Sequence, residues 1–191
     1  MNDIPAGFRE CLRGRGKYFI NEHCNVWNRE TGEICGQYNA HGYPSVNLNW
    51  GAKTARPIYI HLLLSEAFPE KIQYYERHLA EPDIFKFIDH KNLIKTDNSF
   101  NNLRFADRNL NNQNRAKRLF NHSAEHQSSY KGVYWNKSIR KWHASVDYNY
   151  ETYWSPWFDT DTEAGHWYDT KVKEIYRRTY GDDVYLFLNF P

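Results

Sequence analysis

The sequence predicts an α+β protein built as an N-terminal antiparallel β meander, a central strand, loop, strand and helix unit, and a C-terminal three-stranded antiparallel sheet packed on one helix. Three observations predict it. Short β-prone runs punctuated by turn residues fill the first third of the chain. A strand ending at an acid is followed by a polar loop, a second short strand and an Asn-rich stretch after residue 85. Three alternating strands precede one long amphipathic stretch after residue 129. With 191 residues, 40% hydrophobic and 17% aromatic, the chain is large enough for one medium or two small cores.

Along the chain, residues 17–20, 43–48 and 57–60 are the β-prone pieces, separated by NEHCN, NRETGE and NWGAKTA. Arg13, Arg15 and Lys17 lie beside Gly14 and Gly16, which predicts a flexible basic arm. HLLLSEAF then switches to helical spacing over residues 61–68, and Pro69 bounds it. Residues 71–80 continue as helix or loop. His61, at the strand-to-helix junction, is expected to make a structural hydrogen bond, and Glu22, His23 and His41 are expected at the surface. Strands are predicted at 85–89 and 102–105, and a polar helix from near Asp107.

Formal net charge is only +2, but it is unevenly spread. Residues 104–141 carry nine Lys or Arg against Asp107 and Glu125, a net of +7 that leaves −5 for the rest. A basic segment rich in Asn, Trp and Tyr suits a phosphate backbone, because paired phosphates release counterions. Cys11, Cys24 and Cys35 are odd in number and form no CxxC, which argues against a disulfide framework or a thiolate zinc site. No apolar stretch is long enough to span a membrane, and MNDIPAGFRE lacks the regions of a signal peptide. A soluble, unexported protein with reduced thiols is the expectation.

The central unit reads DHKN, KTDN, NNLRF and then the Asn-rich run RNLNNQNR. Asp89, His90, Asn102 and Asn111 can be brought together by such a unit, and phosphodiester hydrolysis needs a neutral imidazole and hard oxygen ligands for a divalent cation. With IHLLLSEAF upstream, residues 56–118 resemble the HNH endonucleases, in particular the homing branch with the ββα-metal fold. The resemblance implies that His90 is the general base, Asp89 and Asn111 are ligands of Mg²⁺ or Mn²⁺, and Asn102 braces the loop in support of catalysis. Asn111 stands where many members have His. Leu93 replaces the usual glycine after DHxN, so a positive φ there carries a Cβ penalty.

After Arg118, LFNHSAEHQSS reads as a linker, and residues 130–135, 141–147 and 152–158 read as strands. Trp142, Ala144 and Val146 share the face expected to pack under the helix, and His143, Ser145 and Asp147 share the other. Asp161 or Thr162 is the expected N-cap, with Ala164, Trp167, Tyr168, Val172 and Ile175 on one face and Gly181 as the stop. SSYKGVYWNKSIRKWHASV, YWSPWFDTDTEAGHWYD and LNFP make residues 129–191 similar to the plant ethylene-response-factor (APETALA two type) DNA-binding domain. That resemblance implies a sheet docked in the major groove, with Tyr134, Asn136, Ser145 and Trp154 facing DNA and Lys137, Arg140 and Lys141 on phosphates. Arg115, Lys117 and Arg118 continue the basic track.

The expected organisation is therefore an N-terminal β region at 1–55, a nuclease module at 56–118, a linker at 119–128 and a DNA-binding domain at 129–191. The expected activity is metal-dependent hydrolysis of double-stranded DNA, as a nick or a double-strand cut, with no membrane and no obligate protein partner. A phage or mobile-element origin, and hence a bacterial host cytoplasm, is what the resemblance implies. The alternative is a sequence-specific DNA-binding regulator that does no catalysis.

Overall fold

The computed structural model describes residues 1–51, 55–75, 87–117 and 127–191. The chain is α+β and divides into two compact units, one of Met1–Tyr74 with Ile88–Phe105 and the other of Tyr75–Phe87 with Ala106–Pro191.

In the first unit, strands β1 (Arg9–Glu10), β2 (Tyr18–Ile20), β3 (Val26–Asn28) and β4 (Glu33–Ile34) form a sheet in sequential order, and β5 (Gln37–Ala40), β6 (Tyr43–Leu48) and β7 (Arg56–Tyr59) form a second. The described pairings of both sheets are antiparallel. Strands β2, β6 and β7 fall within a residue of their expected places. Strand β5 was not foreseen because its side chains are almost all exposed, which leaves no apolar alternation to read. Helix α1 (Ile60–Ala67) follows β7 directly and buries Ile60, Leu63, Leu64 and Ala67 at helical spacing, and Phe68 and Pro69 end it. These residues share one core with Ile20, Val26, Val46, Leu48 and Leu103.

The expected flexible arm is instead folded. Residues Leu12–Gly14 form a 3-10 turn, Arg13 pairs with Glu66 of α1, and Lys17 pairs with Glu30. Gly14 is there for packing, since a Cβ would sit 3.0 Å from the buried Cys11 Sγ. Strands β8 (Phe87–His90) and β9 (Leu103–Ala106) form a two-stranded sheet, and Gln73 bridges to Arg104 beside it.

In the second unit, helix α2 (Arg108–Gln113) starts at Asp107, whose carboxylate accepts from Leu110 N at 2.9 Å. Strands β10 (Val133–Asn136), β11 (Lys141–Tyr148) and β12 (Glu151–Trp154) form an antiparallel sheet covered by helix α3 (Asp161–Tyr180). Val133 pairs with Ala144 and Val146 with Tyr153 on the covered face. Helix α3 buries Ala164, Tyr168, Val172 and Tyr176 along one stripe, and Gly181 at φ 93° stops it. Its N-cap is Thr160, one residue before Asp161 and two before Thr162. Thr160 and Glu163 form a reciprocal capping box, which neither Asp161 nor Thr162 has at the right spacing. Gly132 has φ 71° and lies so close to Tyr168 that a Cβ would overlap the ring. Among the described residues no helix is long and apolar enough to cross a membrane.

Candidate functional site

The loop between β8 and β9 is held by its own amides. Asn102 accepts from Asn92 N through Oδ1 at 2.9 Å and donates through Nδ2 to the Asp97 carbonyl at 2.8 Å. Asn92 in turn donates to Asp97 Oδ2 at 2.8 Å and accepts from Ile94 N. Asp97 caps Ser99 N, and these hydrogen bonds from Ser99 hold its carboxyl below the usual range. Leu93 takes up φ 63°, so the turn a glycine would favour forms in spite of the side chain.

That frame positions two buried groups. Asp89 is 7% exposed; its Oδ2 accepts from Arg104 Nε at 2.9 Å and lies 2.8 Å from Nη2 in an ion pair, Arg104 itself being completely buried. His90 is 5% exposed, and its Nε2 lies 3.0 Å from Asn98 Oδ1, which is also buried. An amide oxygen can only accept, so this bond places an imidazole N–H on Nε2.

Two rings meet His90, and a third stacks on one of them. The His61 ring meets the His90 ring edge-on, with centroids 5.0 Å apart and planes at 85°. Tyr43 touches both imidazoles, at 5.1 and 5.8 Å, and Tyr59 stacks on His61 at 5.5 Å. The expected structural hydrogen bond of His61 is not made at Nδ1, which is buried and meets no partner among the described residues. Burial, with smaller contributions from His90 and Arg13, pushes the His61 pKa down to about 3. Sequence reasoning missed Asn98, Arg104 and the proximity of His61. Asn98 and Arg104 stand within the quoted motifs, KTDN and NNLRF, but nothing in their spacing says which neighbour each meets.

Asn111 lies on α2 and is partly exposed; it belongs to the second unit. Among the described residues no group of three or more His, Cys, Asp or Glu gathers as a metal site.

On the sheet of the second unit, pairing of Tyr134 with His143 and of Ser145 with Trp154 puts Tyr134, Asn136, Lys141, His143, Ser145 and Trp154 on the face opposite α3. His143 lies between Tyr134, tilted against it at 5.7 Å, and Trp154, stacked on it at 5.5 Å, and Trp157 meets its edge at 4.8 Å. Tyr134, Trp154 and Trp157 are about half exposed or more, at 51%, 63% and 49%. Asn136 spends its Oδ1 on the turn, accepting from Ser138 N and Ile139 N. Lys137, Arg140 and Arg115 are exposed, and Lys141 pairs with Asp159 at 2.5 Å. Lys117 is half-buried and donates to the carbonyls of Tyr130 and Val133 at 2.7 and 3.2 Å, an anchoring role inside the unit. Arg118 lies outside the described residues, as does most of the expected linker.

No protein-family model matches the chain, and no curated protein does. A solved structure reporting "DNA binding and cleavage by the HNH homing endonuclease I-HmuI" is similar to it, at 21% identity and a TM-score of 0.43 over 56% of this chain. This chain spans little more than half of that one, 56% of its length.

Proposed function

We propose that the protein is an HNH-type endonuclease that hydrolyses a phosphodiester of double-stranded DNA, using the β8–β9 loop for the chemistry and the C-terminal sheet, read as an ethylene-response-factor type domain, for docking. The observation that carries this reading is the buried His90 imidazole, held through Nε2 by a hydrogen bond to Asn98. A general base must be fixed in tautomer and direction before it is useful, and Asn98 supplies the first while the His61 and Tyr43 rings supply the second. His90 then accepts a proton from a water directed at phosphorus. Asn102 keeps the loop that carries Asn98 closed against β8.

A hard divalent cation fits this chemistry in kind. Mg²⁺ retains several waters and needs only one or two protein oxygens when phosphate joins its shell, and Asp89 and Asn111 are such donors. When bound, it would offset negative charge on the phosphate and the departing oxygen. Asp89 also holds Arg104, so the guanidinium competes for one carboxylate oxygen and the protein alone should bind the ion weakly. The same ion pair favours the second reading, a DNA-binding protein without hydrolysis.

Incubating supercoiled plasmid with the protein and Mg²⁺ or Mn²⁺ decides between them. Nicked or linear product is expected from the wild type, and His90→Ala should lower the rate by about 10²-fold or more. Equal rates for the two proteins would end the nuclease reading while leaving DNA binding open.

A further inference from the structure

Within the second unit a cleft of about 650 Å³ lies between α2 and the sheet, walled by Arg108, Asn112 and Arg115 on one side and Tyr134, Asp147 and Tyr150 on the other. Of its three cations, Lys131 is spent on the Gln113 carbonyl. Lys17, Lys71, Lys141 and Lys171 are each ion-paired to a carboxylate, whereas Arg108 and Arg115 are exposed and make no ion pair among the described residues. Asp107, the acid nearest them in sequence, is buried and spent on Leu110 N and on the Tyr180 hydroxyl at 2.6 Å. Asp147 is the cleft's exposed acid, and it accepts from the Thr152 hydroxyl at 2.7 Å. The wall therefore offers two planar guanidinium forks and an exposed carboxamide, a donor set that matches phosphate oxygens.

The rim carries a second signal. Asn149 and Tyr150 form the β11–β12 turn with φ 51° and 68°. Such a turn favours Asn-Gly, and tyrosine in the left-handed region carries a Cβ cost that glycine escapes. Tyr150 is 95% exposed, so no packing offsets that cost. The turn is tied to α2, because Asn149 N donates to Asn109 Oδ1 at 3.3 Å. Helix α2 is in turn fixed to α3 and the C-terminal tail by Tyr176 OH to the Asn109 carbonyl at 3.2 Å and by the reciprocal pair of Gln113 and Phe187 at 2.8 and 3.2 Å.

We propose that this cleft seats the sugar–phosphate backbone of duplex DNA, with Arg108 and Arg115 each on a phosphate, Asn112 on a phosphate or sugar oxygen, and Tyr150 against the backbone at the rim. The proposal deepens the reading of the C-terminal unit as a DNA-docking element. It adds Arg108, Asn112 and Tyr150 to the contact set, and it gives the docking a mechanical consequence. The helix that carries Asn111 is one wall of the cleft, so a backbone held there has a fixed register against Asn111 without any movement between wall and sheet.

The test measures fluorescence anisotropy of the full-length protein with a fluorescein-labelled duplex of arbitrary sequence, in excess EDTA and across a salt series. No cleavage occurs under those conditions, so failure of the nuclease reading and failure of this one are separable. Two phosphate contacts predict that Arg108→Gln/Arg115→Gln lowers the slope of log affinity against log salt by about 2, with about ten-fold or greater weakening near 0.1 M salt. Tyr150→Gly relieves the left-handed tyrosine, so a raised melting temperature together with several-fold weaker duplex binding supports the contact. Wild-type slope and affinity in the double arginine variant overturn the proposal. So does an equal loss of slope in Arg177→Gln/Arg178→Gln, whose exposed cations do not line the cleft. A labelled single strand that shows the loss while the duplex does not overturns the duplex assignment.

Discussion

Leu93 holds φ at 63° because Leu93 N closes the turn onto the His90 carbonyl at 3.0 Å, and Asn92 Oδ1 fixes the next residue. A Cβ in that region costs about 1–2 kcal/mol, of which glycine's extra unfolded-state freedom takes back roughly 0.5–1. Leu93→Gly is therefore expected to raise the thermal midpoint by about 2 °C, measured by differential scanning calorimetry, and an equal or lower midpoint would mean that the half-buried leucine packs better than its backbone is strained. His61 makes a prediction of opposite character. Its folded pKa of about 3 lies below the ordinary 6.5, so the unfolded chain binds the extra proton between those values. Stability on this account is complete above pH 6.5 and lost as pH falls toward 3, by on the order of 4 kcal/mol at the acid end. His61→Phe should flatten that acid limb in urea titrations at several pH values. A limb as steep as wild type's would mean that another group sets it.

At the scale of single elements, the C-terminal tail depends on one acid. Asp169 is 4% exposed on α3 and accepts from Asn189 N at 2.9 Å and Phe190 N at 2.8 Å. Phe190 then stacks on His166 at 3.9 Å and covers Gly165, where a Cβ would lie 3.0 Å from its ring. Asp169→Ala removes two charge-assisted bonds and should cost about 2–4 kcal/mol in chemical unfolding, with protease cleavage near residue 186 as the local readout. A loss below 1 kcal/mol would show that ring packing alone holds the tail.

For the whole molecule, the chain passes between its two compact units at Tyr74–Tyr75, Phe87–Ile88 and Phe105–Ala106. Helix α2 consequently lies in the unit of the C-terminal sheet, whereas the motif that carries Asn111 was read with Asp89 and His90. Fragments test where the separable piece begins. Residues 106–191 keep the bonds of Asp107, Asn109 and Gln113 to α3 and the tail, and residues 129–191 lose them. At about 0.5–1.5 kcal/mol each, these four bonds should make the longer fragment more stable by roughly 2–6 kcal/mol in urea. Equal midpoints would place the boundary in the linker instead.

Local chemistry made much of this readable in one dimension. Helical spacing in HLLLSEAF, alternation in KWHASV and the stop at Gly181 marked α1, β11 and α3, because a repeat of 3.6 or 2 residues is a property of neighbours in the chain. Proton acceptors and oxygen donors could likewise be named from residue type alone. Other features required the folded chain: His61 against His90, Asn98 on its Nε2, Arg104 buried on Asp89, and two unpaired arginines facing the sheet across a cleft. These contacts join residues far apart in sequence or turned toward one another by a loop, and close packing settles which of many possible partners each side chain meets.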